Sequence, residues 1–178
     1  MLKIVLGFIV SVLLFPAFGQ SIHSITFRVE DKIGGRVSFE RHEFDRERKR
    51  FTSFDSLTNH PIMSAAEYND GRTTVITTPD TRATVESSRS PETLRPGEEI
   101  FGTVVIESRD TPTARLAMHT KATKQGDLTV LETVSAGNGY VTLGRVAYAT
   151  DYRRPVWREN ITHINGRKVQ HDYLVAVQ

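Results

Sequence analysis

The sequence predicts a mainly β domain, an antiparallel sheet or sandwich with one amphipathic helix near its N-terminus (α+β by a strict count). Three observations carry this. Apolar and polar residues alternate with a period of two along most of the chain. Thr and Val, which suit a pleated surface, recur throughout. Turn signals built on Gly, Asn and Asp separate the alternating runs.

A leader precedes the domain. Met1, Leu2 and Lys3 make a short positive start, and 4–15 is an apolar run broken only by Gly7 and Ser11. Pro16, Ala17, Phe18, Gly19 and Gln20 end it, with Ala17 and Gly19 in the small-residue cleavage positions. That order is a secretory signal peptide over 1–19, cleaved after Gly19, followed by a single domain over 20–178. An uncleaved anchor is disfavoured, because the apolar run reaches only about 18 Å as a helix against roughly 30 Å of bilayer core. No later stretch is long enough to cross a membrane as a helix, so none is expected after cleavage.

The domain restarts as a strand. Ile25, Phe27 and Val29 point one way and Thr26, Arg28 and Glu30 the other; 31–35 is a turn, and Val37 and Phe39 resume the alternation as the second arm of a hairpin. Between 40 and 57 the period changes. Phe44, Phe51, Phe54 and Leu57 approach helical spacing, with Arg46, Arg48, Lys49 and Arg50 interleaved with Glu43, Asp45 and Glu47. A helix over 43–57 follows, and its balanced charges suit a solvated face rather than a membrane surface.

After Asn59, His60 and Pro61 the chain turns β again. Strand-like runs occupy 72–78 and 82–88 around Pro79 and Asp80, then 99–108, 114–122, 128–134 and 140–149. The stretch 87–97 has no periodicity and reads as a loop. Gly126-Asp127 and Gly137-Asn138-Gly139 mark turns. Asn165-Gly166 signals a two-residue hairpin, because both positions tolerate positive φ. The expected total is eight or nine strands and one helix.

The absence of cysteine excludes a disulfide framework, a thiol nucleophile, a thiolate metal site and a lipoprotein anchor. Small eukaryotic secreted domains usually lean on disulfides, so a bacterial envelope, periplasmic or secreted, is the expected compartment. Asn160-Ile161-Thr162 is then a coincidental glycosylation triplet. The net charge of +2 loses one unit with Lys3, which leaves no global field to draw in nucleic acid, and no nucleic-acid partner is expected.

Motifs that would name a reaction are missing. The histidines at 23, 42, 60, 119, 163 and 171 include no pair at zinc-motif spacing. His42, Glu43 and Asp45 form the densest ligand-like patch, but beside the arginines they fit a solvated surface. With a simple two-residue loop, Asn160 faces His171, so His163 and His171 fall on opposite faces and cannot share a metal without a bulge. Neither Gly-x-Ser-x-Gly nor Ser-x-x-Lys occurs. No catalytic residue, metal site or cofactor is expected, and the enzyme question leans towards no.

One cluster stands apart. Tyr148, Tyr152, Arg153, Arg154, Trp157 and Arg158 lie close together around Pro155 and include the only tryptophan. Aromatics interleaved with arginine suit stacking on sugar rings or binding to anionic polymers. The alternative is an aromatic strand end covered by arginine stems.

Val75, Ile76, Thr77 and Thr78, the turn at Pro79, Asp80 and Thr81, and Ala83, Thr84, Val85 and Glu86 together resemble a hairpin of the secretin domain of bacterial outer-membrane secretion channels. The resemblance extends over about 55–135 and takes in 116–134, whose acidic glycine turn is Gln125-Gly126-Asp127. It departs from the family at His119 to Ala122, where a proline is usual, and at 165–168, where a glycine-rich closing strand is usual. The resemblance implies a detached, β-rich relative rather than a pore.

The leading expectation is therefore an exported, non-enzymatic domain acting in assembly or binding, with a protein or polysaccharide of the envelope as partner and self-association as an option. A glycan or anionic-polymer binding module using the aromatic-arginine surface is the alternative, and a secreted hydrolase the second.

Overall fold

The computed structural model describes residues 24–45, 50–149 and 155–177. Within them the chain forms twelve strands that close into one antiparallel barrel: β1 (Ser24–Asp31), β2 (Val37–Phe44), β3 (Arg50–Asp55), β4 (Pro61–Tyr68), β5 (Thr73–Thr77), β6 (Thr81–Ser87), β7 (Glu99–Ser108), β8 (Thr111–Gln125), β9 (Leu128–Gly137), β10 (Tyr140–Ala149), β11 (Pro155–Ile164) and β12 (Arg167–Val177). Each strand pairs with its sequence neighbours, and β1 pairs with β12 from Thr26↔Val177 to Asp31↔Asp172.

The expected helix over 43–57 is not there. That segment contributes the end of β2 and all of β3, with register Phe44↔Phe51 and Glu40↔Asp55. The four residues 46–49 lie outside the described set. The alternation is real but disguised, because the inward positions are Glu40, His42 and Phe44 on β2 and Phe51 and Ser53 on β3. Leu57 closes no helix. It sits in a turn where Asp55 Oδ1 accepts from the backbone N–H of Leu57 (3.0 Å) and Thr58 (2.8 Å). Asp31 does the same for Ile33 and Gly34, both at 2.9 Å, at the turn between β1 and β2. These bonds hold both carboxyls below their ordinary range.

The first hairpin is as expected, but its second arm faces the other way. Val37 and Phe39 lie on the outside, 52% and 40% exposed, and the inward set begins at Glu40. The final hairpin carries positive φ at both Asn165 and Gly166. A bulge at Thr162/His163 breaks its simple register, so that Ile161 pairs with His171 and Asn160 with Asp172. By alternation, both histidines then face outward.

The interior is divided. Strands β4 to β8 supply Met63, Ala65, Ile76, Val85, Ile100, Val104, Ile106, Leu116 and Met118 to one apolar cluster, which Phe44, Phe51, Leu131, Val146 and Tyr148 join. Burying such side chains contributes about 1.5–3 kcal/mol each. Strands β9 to β12, with β2 and β3, place polar groups inside: Thr133, Ser135, Thr142, Arg158, Asn160, Thr162 and Gln170 are buried, as are Glu40, His42 and Ser53. The loop expected over 87–97 runs over 88–98, since Ser87 ends β6. It carries a short 3-10 turn (Pro91–Thr93), and both Pro91 and Leu94 are buried, with Leu94 in the apolar cluster.

Candidate functional site

The strand pairing spreads the aromatic-arginine cluster over both sides of the wall. On β11, Arg158 and Asn160 point inward, while Trp157 and Glu159 point outward. Tyr148, near the end of β10, is buried inside with Arg158. Tyr152, Arg153 and Arg154 lie outside the described residues.

Outside the wall, Trp157 has a partner the sequence did not flag. Glu159 is registered with Tyr173 and Trp157 with Val175, which makes Trp157 and Tyr173 diagonal neighbours. Large rings reach each other across that diagonal. Their centroids are 5.9 Å apart with the planes tilted by 32°. The ammonium of Lys32 lies 5.6 Å from the Tyr173 ring. The two aromatics line an open groove of about 410 Å³ together with Thr123, Lys124, Gln125, Val130, Glu132, Arg145 and Glu159.

The groove's charges alternate by register. Glu99, Lys121, Glu132, Arg145 and Glu159 follow one another strand by strand across the outer wall. Arg145 sits between two carboxylates: its Nε donates to Glu132 at 2.7 Å and its Nη1 to Glu159 at 3.3 Å. The bond to Glu132 is the main reason its pKa is raised. Glu159 also meets His171 Nε2 at 3.0 Å. Among the described residues of the groove, Lys124 and Arg145 balance Glu132 and Glu159, so donors and acceptors of both signs edge the aromatic ledge. Such pairs fix side-chain positions more than they stabilise, at about 0.2–1 kcal/mol each.

Inside the wall, a second arrangement escaped the sequence. Arg158 is 2% exposed, and its Nε and Nη1 have no hydrogen-bond partner among the described residues. Its guanidinium lies 5.1 Å from the Phe27 ring centroid. Burial pulls its pKa down. His42 is not on a solvated surface as expected; it is fully buried between Phe27 (4.8 Å) and Phe51 (5.3 Å). Burial holds the imidazole pKa below its ordinary value, even though Glu40 Oε2 lies 3.3 Å from its Nε2. Ser53 Oγ donates to the same oxygen of Glu40, also at 3.3 Å. Further along, Gln170 Nε2 donates to Asp172 Oδ2 at 2.5 Å, and burial raises the Asp172 pKa.

Among the described residues, no group of three or more His, Asp or Glu is gathered so as to hold a metal ion. Compared with known protein families, curated proteins and solved structures, the chain matches none of them.

Proposed function

We propose that this chain is an exported, non-enzymatic barrel of the bacterial envelope that binds saccharide on its outer wall. The observation that carries the reading is the pairing of Trp157 and Tyr173 along an open, polar-edged groove. The faces of a sugar ring are apolar and stack on aromatics, while its hydroxyls need planar donors and acceptors. Gln125, Arg145, Glu132 and Glu159 are placed to supply both. The balance of charges among the groove's described residues favours a neutral glycan over an anionic polymer.

The outer wall also bears on compartment. In a membrane-spanning barrel, charges on the lipid face cost about 2–4 kcal/mol for Lys or Arg near the bilayer midplane. Here Glu132, Arg145 and Glu159 cross the middle of three consecutive strands, and the largest apolar cluster lies inside. This supports a water-facing wall in the periplasm or outside the cell.

The test is retention of the cleaved protein on immobilised neutral polysaccharides. Trp157→Ala should weaken retention by about tenfold or more while far-UV circular dichroism stays unchanged. Retention of the variant equal to that of the native protein would refute the reading.

A second reading, assembly through self-association, rests on a different patch. Ile33 (53% exposed), Val37 (52%), Phe39 (40%) and Leu57 (87%) are large apolar residues on β2 and on the turns that follow β1 and β3. The resemblance of 55–135 to secretin domains belongs with this reading. A concentration-dependent shift on a sizing column, lost in Phe39→Ser, would support it; a monomer at every concentration would end it.

A further inference from the structure

We propose that the barrel interior is a second binding site, for an apolar carboxylate whose anionic group pairs with Arg158. Removing a guanidinium from water without hydrogen-bond acceptors is costly, by several kcal/mol after relaxation. Arg158 is 2% exposed, and its Nε and Nη1 have no hydrogen-bond partner among the described residues. Glu40, whose charge acts on Arg158, is engaged with His42 and Ser53. A ligand carboxylate gives the two idle donors charge-assisted hydrogen bonds, the strongest kind available to them.

The surroundings specify the rest of the ligand. A continuous row of rings runs away from the guanidinium: Phe27 at 5.1 Å from it, His42 at 4.8 Å from Phe27, Phe51 at 5.3 Å from His42, and Phe44 at 5.9 Å from Phe51. Phe44 and Phe51 belong to the main apolar cluster. The side chains beyond the charge therefore suit a hydrocarbon or aromatic body and not a polyol.

Arg158 and Phe27 are closed off from solvent, so entry requires something to leave, and the 88–98 strap is the segment suited to do so. It carries Leu94 into the same apolar cluster and has no strand of its own. Backbone bonds join it to β8, Gly97 N–H to Ala122 C=O at 2.8 Å and Ala122 N–H to Glu98 C=O at 2.9 Å. Ala122 is registered through Leu131 and Val146 to Arg158, so the strap is tied to the row of residues that holds the guanidinium.

The experiment titrates the cleaved, full-length protein with the fluorescent fatty acid cis-parinaric acid, using a long-chain alcohol as the uncharged control. The native protein should bind the acid, gain melting temperature with it, and leave the alcohol unbound. Hydrogen exchange at the Leu94 and Gly97 amides should quicken in the complex. Arg158→Met should bind at least about tenfold more weakly, the effect of losing one charge-assisted contact. This variant should still fold, because exchanging a buried unpaired charge for an apolar side chain is often neutral or stabilising. Arg158→Lys, which keeps the charge, should fall between the two. No binding of the acid, equal binding by Arg158→Met, or binding with strap protection unchanged would overturn the proposal.

Discussion

Trp157 and Arg158 are adjacent in the chain and stand on opposite sides of the barrel wall. The indole shares an outer groove with Tyr173, while the guanidinium lies inside against Phe27. A strand forces this, since neighbouring side chains leave a pleated sheet on opposite faces. What reads as one cluster in the sequence is thus divided between the two faces of one strand.

The two residues should respond differently to truncation. Trp157 is only partly buried, so Trp157→Ala should cost less than the roughly 3–5 kcal/mol typical of a core tryptophan. Glycan retention should nonetheless fall by about tenfold or more, on the scale of 1–3 kcal/mol for a ring stacked on an aromatic. A thermal melt and a retention assay on the same variant check both halves.

Retention should be insensitive to ionic strength. The groove's cations and carboxylates balance, so screening over a Debye length removes nothing that holds a neutral sugar. Washing the loaded column with rising sodium chloride checks this. Elution by salt would assign the groove to an anionic polymer instead.

Acid should weaken the fold through His42. Its folded pKa is depressed by burial, so the unfolded chain takes up a proton first as pH falls below 6.5. Stability from this group is complete above that value and is lost as pH falls towards the depressed folded pKa. Denaturant melts across this window should show the decline in the native protein, and His42→Phe should flatten it.

Asp172 should act with the opposite sign. Burial raises its folded pKa above 3.8, and the Gln170 bond offsets this only in part. Its contribution is complete below 3.8 and is lost as pH rises through the raised folded value. Asp172→Asn should therefore raise the melting temperature at neutral pH, with the gain vanishing in acid.

Much of the β pattern was legible in the sequence, because residues such as Val104, Ile106, Leu116 and Met118 alternate cleanly into an apolar half-core. The segment around β2 and β3 was not, because its inward positions are Glu40, His42 and Ser53, and polar interior residues erase the contrast that period reading depends on. The aromatic spacing of Phe44, Phe51 and Phe54 then imitated a helix. Phe54 in fact faces out, beneath the Arg41 guanidinium at 5.3 Å from its ring. Of the candidate site, Trp157 was visible as the sole tryptophan, but Tyr173 was not. Their meeting depends on the β11–β12 register, which includes a bulge that no local signal announces. Closure by β1 and β12 joins residues far apart in sequence, and no local pattern encodes it.

That closure also limits how a partner can approach. Among the described residues, a sheet joined end to end leaves no edge strand for a peptide to extend. Recognition must run through side chains on the wall or through the two mouths. Before β12 reaches β1, however, the folding chain carries two such unguarded borders at once. The non-local final pairing makes that interval long, and during it the chain is most exposed to joining the borders of its own copies.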